Sequence, residues 1–218
     1  MISLKTGRMR ALVLCSIVFL ATAWAAVARP LTVAVRTPDG RPVADAVVSI
    51  SAPARPLSSA FKFSWPLAMA QRNTKFDPFV LIVGAGAQVS FPNFDSFSHH
   101  VYSFSPTKMF EIKLYGRDES RSVSFPTAGV VAVGCNIHDS MSAYIYVSDT
   151  PLVARTGADG AAVIVDAPDG ALSVDVWHPF SEAQAQRVSI AVPAGVRANP
   201  VLATVQLRRP RRRTHDSY

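Results

Sequence analysis

The stretch Gly134-Cys135-Asn136-Ile137-His138-Asp139-Ser140-Met141 places a thiol, an imidazole and a thioether within a single short segment. Val130-Val131-Ala132-Val133 leads into it and Ala143-Tyr144-Ile145-Tyr146-Val147 leads out. Both flanks are rich in β-branched and aromatic residues, which predicts two strands with Cys135, His138 and Met141 on the loop that joins them. A strand-tip loop of this kind converges three side chains on one point. Soft sulfur donors combined with imidazole select copper over calcium or magnesium, and one thiolate, two histidines and a weak axial Met describe an electron-transfer copper centre. That set needs a second histidine. Upstream, Asn93-Phe94-Asp95-Ser96-Phe97-Ser98-His99-His100-Val101-Tyr102-Ser103-Phe104 feeds two histidines from a polar turn into an apolar alternation, so His99 and His100 are the candidates. Successive side chains on a strand point to opposite faces, so one of the two reaches the metal and the other braces the site.

The chain opens with Lys5, Arg8 and Arg10 before an apolar run from Ala11 to Ala26, and Ala26-Val27-Ala28 has the small-x-small pattern of a cleavage site. This reads as an export signal over residues 1–28, cleaved near Ala28, with the mature protein in the periplasm. The run is shorter than the roughly 20 residues of a spanning helix. Cys15 lies inside this leader, behind a Leu14 too large for a lipoprotein signal, so the exported chain keeps one cysteine, Cys135. A single thiol cannot form a bridge within its own chain in an oxidising compartment. An isolated cysteine is ordinarily a buried, inert residue, but His138 and Met141 at fixed spacing reverse that reading. A catalytic Cys-His pair is disfavoured, since Met at the third position has no part in activating a nucleophile.

Charged residues make up 17% of the chain and apolar ones 49%, enough to bury a core of one or two domains. The formal charge of +7 resides at the ends: the leader carries +3 and the tail from Arg208, with five arginines and Asp216, carries +4. A neutral middle argues against a nucleic-acid-binding face. The tail, residues 209–218, reads as a disordered basic segment, with contact to an anionic membrane surface as its sharper use. No long helical period appears in the mature chain, and Gly84-Ala85-Gly86 is a turn and not a nucleotide loop, because no helix follows it.

The spacing Cys135-x2-His138-x2-Met141 and the upstream Asn93-x-Asp95 with His99-x-Val101 resemble the cupredoxins, with a ligand loop as short as that of amicyanin-type members. The nearer resemblance is to the periplasmic plastocyanin-like proteins labelled methylamine utilization proteins. It runs from about Gln71 to Val147 and implies a Greek-key β-sandwich over residues 71–148. By this resemblance a single copper ion, shuttling between Cu(I) and Cu(II), is held by His99, Cys135, His138 and Met141. His100 occupies a position where the family commonly has an Asn that braces the ligand loop, and Asn136 and Asn93 are expected around the ligands. The family's loop histidine lies nearest the surface, which implies that His138 is the port through which electrons pass to a transient redox protein partner.

Residues on either side of that stretch form a second pattern. Leu31 to Ile50 reads as two strands about the Pro38-Asp39-Gly40 turn, a β-hairpin or its near relative. After residue 150, Asp159-Gly160 and Pro168-Asp169-Gly170 turns separate further strands, followed by Trp177-His178-Pro179. These segments resemble a carboxypeptidase regulatory-like, Ig-like β-sandwich. The resemblance implies a discontinuous sandwich of residues 30–57 with 150–208, into which the copper domain is inserted. His178 reads as structural, and Trp65 and Phe61 read as packing residues. The whole is expected to be an all-β, monomeric, non-enzymatic electron carrier. A periplasmic copper carrier or sensor using the same residues, and a metal-free exported interaction module, are the alternatives.

Overall fold

The computed structural model describes residues 29–51, 63–194 and 200–208. The expected leader, the basic tail and Phe61 lie outside the described residues. Strands dominate, and the one helical element among the described residues is a single 3-10 turn, Gln184–Gln186. Among the described residues, no helix is long and apolar enough to cross a membrane.

The Cys135 loop joins β10 (Gly129–Cys135) to β11 (Ser142–Ser148), which pair antiparallel with Gly134 opposite Ser142. On its other edge β10 pairs with β7 (His99–Ser105), which in turn pairs with β8 (Lys108–Tyr115). On the far side β11 takes β5 (Val80–Gly84) in parallel, completing a five-stranded sheet in the order β5-β11-β10-β7-β8. A two-stranded ladder of β6 (Ala87–Pro92) and β9 (Ser120–Phe125) and a small hairpin of β3 (Ala70–Arg72) and β4 (Lys75–Asp77) complete this half of the molecule. Its core contains Phe91, Phe125, Val89, Val101, Val131, Val133 and Ile145, together with Cys135 and Met141. Full burial of aliphatic and aromatic side chains contributes about 1.5–3 kcal/mol each. The pleat decides what reaches this core. On β7, His99, Val101 and Ser103 are buried while His100, Tyr102 and Phe104 are not, so the two neighbouring histidines face opposite sides of the sheet.

The second core is built from both ends of the described chain. The strand β1 (Arg29–Arg36) pairs antiparallel with β13 (Ala161–Ala167) and parallel with β16 (Val201–Thr204). The facing sheet runs β12-β2-β14-β15, from β12 (Val153–Arg155), β2 (Val47–Ser51), β14 (Leu172–Trp177) and β15 (Arg187–Val192). Leu31, Val33, Val35, Val48, Ile50, Ile164, Val174 and Val176 fill the space between them. The hairpin, or near relative of one, expected at Pro38-Asp39-Gly40 closes only briefly, with Arg36 bridged antiparallel to Pro42 and the Val43 amide donating to the Val35 carbonyl at 3.0 Å. The turn forms, with the Gly40 amide donating to the Thr37 carbonyl at 2.9 Å and Gly40 at φ +82°, but β1 and β2 belong to different sheets. Each strand buries an apolar face, and arching over the core buries both, which a two-stranded hairpin could not do.

The two halves meet through a third apolar cluster. Val47, Val153 and Trp177 pack with Val80, Ile82 and Tyr146 on the outer face of β5 and β11. The Trp177 ring lies 5.8 Å from that of Tyr144 and 5.7 Å from that of Tyr146, and Arg187 Nη2 donates to the Tyr146 hydroxyl at 3.3 Å. His178 is buried next to this contact, and its Nδ1 accepts the Phe180 amide at 3.2 Å. Burial holds its pKa below the ordinary histidine value against the opposing influence of Asp45 and the Ala44 backbone. Trp65 packs at the edges of the second and third clusters and donates its indole N–H to the Ile82 carbonyl at 2.8 Å.

Candidate metal centre

Cys135 is the last residue of β10, and the pleat that buries Val131 and Val133 also buries Cys135, which is 3% exposed. The loop beyond it closes on itself. The Met141 amide donates to the His138 carbonyl at 2.9 Å, and the Cys135 amide donates to the Met141 carbonyl at 3.1 Å, so both ends of the loop are fixed against each other. Met141 is buried in the same apolar cluster as Cys135. A third bond, from the Asn136 amide to the His100 carbonyl at 3.1 Å, ties the loop to β7.

The Cys135 sulfur lies 3.6 Å from Nδ1 of His99 and 3.7 Å from Nδ1 of His138, and all three donor atoms fall within 4.8 Å of one another. First-row metal bonds of about 2.0 Å to nitrogen and 2.3 Å to sulfur, at a tetrahedral angle, set N and S about 3.5 Å apart. The two S–N separations match a metal ion of that size, and thiolate with two imidazoles is a set that suits copper. His99 is fully buried, while His138 is half-buried. The exposed Phe97 ring lies 5.4 Å from the His138 ring and Ile137 is 49% exposed beside it, while Asn136, Asp139 and Ser140 add exposed polar side chains to the same loop.

The environment of His99 contains Asp95, which the motif Asn93-x-Asp95 includes but to which sequence reasoning gave no role. The second ring nitrogen of His99, Nε2, lies 2.8 Å from Oδ2 of Asp95, a carboxylate that is 7% exposed. Asp95 also accepts the amides of Asn73 at 2.6 Å and Thr74 at 3.0 Å, at the tip of the β3–β4 hairpin. Burial pushes the Asp95 carboxyl up, but the Thr74 amide, the His99 imidazole and the Asn73 amide outweigh it, and its pKa sits below the ordinary aspartate value. The i, i+4 spacing of Asp95 and His99 is visible in the sequence, but outside a helix such spacing does not by itself imply contact.

Asn93 is fully buried and organises the turn that carries Asp95. Its Nδ2 donates to the carbonyls of Phe97 at 2.9 Å and Tyr115 at 3.2 Å, and its Oδ1 accepts the Asp95 amide at 2.9 Å. The imidazole of His100 faces away from the centre and pairs with Glu111 at 2.9 Å; the contact of His100 with the ligand loop is made by its backbone carbonyl. Asn136 likewise holds the loop by its amide, its side chain being exposed. Below the centre, Gln71 donates to the Tyr115 hydroxyl, which donates to the Phe91 carbonyl at 2.9 Å; burial pushes the Tyr115 pKa up to about 12, so it stays a neutral donor.

No family model matches the chain, and no curated protein sequence does. Among solved structures it is similar to a copper-containing nitrite reductase from Thermus scotoductus SA-01, at 23% identity and a TM-score of 0.37 over 43% of this chain; the match spans a quarter (25%) of that enzyme. It is similar to a reduced amicyanin variant at 18% identity and a TM-score of 0.36, over 46% of this chain and 98% of amicyanin. A purple cupredoxin from Nitrosopumilus maritimus is similar at 21% identity and a TM-score of 0.34, over 37% of this chain and 96% of that protein.

Proposed function

We propose that this protein is an exported mononuclear copper protein that passes electrons between redox partners and catalyses no reaction of its own. The observation that carries the reading is the Cys135 thiol set between the Nδ1 atoms of His99 and His138, at 3.6 and 3.7 Å, with His99, Cys135 and Met141 buried and His138 half-buried. His99, Cys135, His138 and Met141 would hold a copper ion there, which would supply reversible one-electron chemistry. The protein's part is to hold the donors still. A rigid β-sheet carries His99 and Cys135 on adjacent strands, and the loop's own hydrogen bonds fix His138 and Met141 relative to both. His138 is the half-buried ligand, and the exposed Phe97 ring 5.4 Å from it and the neighbouring Ile137 suit brief contact with a partner that must leave again.

In this reading residues 71–148 are the copper-binding unit, inserted between residues 30–57 and 150–208 of a flanking sandwich. Residues 1–28 direct export to the periplasm, and the basic residues of 209–218 meet the membrane surface. Film voltammetry of the copper-loaded protein tests the reading: a reversible one-electron couple with fast exchange is expected. Tight Cu(I) binding with sluggish exchange would make the protein a copper carrier instead.

A further inference from the structure

The tip of the β3–β4 hairpin meets Asp95. Its tip residues Asn73 and Thr74 both adopt left-handed backbone conformations, at φ +52° and +57°, although neither is glycine and Thr is β-branched. In that conformation their two amides converge on the Asp95 carboxylate, at 2.6 and 3.0 Å. The base of the hairpin is fastened to the same turn: Gln71 bridges to Asn93, and the Phe94 amide donates to the Gln71 carbonyl at 2.9 Å. The Asn73 amide takes Oδ1 of Asp95, while Oδ2 is shared by the Thr74 amide and His99 Nε2 at 2.8 Å, and His99 Nδ1 faces the Cys135 sulfur.

We infer that Asp95, clamped by the Asn73–Thr74 hairpin tip, is the positioning residue for His99: it holds the proton on Nε2, presents the Nδ1 lone pair to the metal, and raises the donor strength of that nitrogen. The inference rests on the copper reading for its effect on affinity and potential, but the tautomer it requires belongs to the metal-free protein as well. Carboxylates behind ligating imidazoles fix tautomer and ring orientation, and their loss costs 10–100-fold in metal affinity. A more basic imidazole favours Cu(II) over Cu(I). For a one-electron couple each tenfold loss of that preference raises the potential by about 59 mV.

The test compares wild type with Asp95→Asn, which keeps the size of the side chain, and with Val163→Ser, a change at an exposed position of β13 outside the clamp and the donor set. Asp95→Asn is expected to lower Cu(II) affinity 10–100-fold in chelator competition and to raise the potential, while Val163→Ser matches wild type in both. Equal affinity and potential in Asp95→Asn would overturn the inference. A second measurement does not depend on any variant folding. Nitrogen-15 NMR of the metal-free wild type is expected to give a slowly exchanging Nε2–H signal for His99, and a proton on Nδ1 instead would overturn the inference. If the wild type forms no copper centre, the function proposed above fails while the NMR result still decides the role of Asp95.

Discussion

His99 and His100 are sequence neighbours whose rings lie on opposite faces of β7, one 3.6 Å from the Cys135 sulfur and the other paired with Glu111 at 2.9 Å. Replacing each therefore has a different consequence. His99→Ala removes a donor from the buried set and is expected to abolish the intense thiolate–copper band. His100→Ala leaves its backbone carbonyl in place to receive the Asn136 amide, so the band is expected to persist with less than tenfold loss of affinity. Absorption spectra of the two variants check this, and the reverse pattern contradicts the assignment.

Copper is expected to stabilise the folded protein. An ion that binds the native state alone adds RT ln(1 + [L]/Kd), about 4 kcal/mol at a thousandfold excess over Kd. Thermal unfolding with and without copper measures the gain, and with Cys135→Ala the gain should disappear. Identical curves for the wild type would favour a metal-free interaction module.

The pH dependence of the metal-free protein has a component from His178. Its pKa is held below the ordinary value by burial, so the unfolded chain binds the proton more readily than the folded one. Its contribution is present in full above pH 6.5, the ordinary histidine value, and is lost as pH falls from there through the folded value. Denaturant unfolding between pH 8 and pH 5 is expected to show this loss, and His178→Gln to flatten it; an unchanged slope in the variant would assign the loss to other groups.

Trp177 is expected to matter for stability and not for the metal. It fills the contact between the two halves, against Tyr144 and Tyr146, and truncation of a buried aromatic costs about 3–5 kcal/mol. Trp177→Ala should lower the unfolding midpoint while leaving the position of the copper band unchanged. Gly160→Ala should also destabilise, by about 2 kcal/mol or more, because Gly160 has φ +72° and an added Cβ would lie 2.6 Å from the Val35 carbonyl oxygen. A Gly160→Ala protein as stable as wild type would show that the turn relaxes.

Much of this arrangement is legible in the residues. The β-branched flanks of the Cys135 loop read as strands because both are buried on the pleat, and the alternation from His99 to Phe104 already separates the two imidazoles. What was not legible is contact made through backbone. The hairpin at Ala70–Asp77 is short, polar and turned by Asn73-Thr74, where no glycine signals a left-handed turn, so its clamp on Asp95 had no sequence mark. The pair β8 and β9 carried a usable signal, Phe110 and Ile112 alternating inward, that the reading passed over. The Pro38-Asp39-Gly40 turn and the two strands about it are legible, but the parting of those strands into different sheets is not, because a turn motif fixes a reversal and not which sheet each strand then joins.

The central claim is that Cys135, His99 and His138 bind one copper ion through a thiolate. A joint visible and electron paramagnetic resonance spectrum of the purified protein with one equivalent of Cu(II) tests it most directly. An intense thiolate-to-copper charge-transfer band, accompanied by a narrow copper hyperfine splitting and lost in Cys135→Ala, is the predicted result. A colourless Cu(II) complex with the wide hyperfine splitting of ordinary nitrogen and oxygen ligation would contradict it.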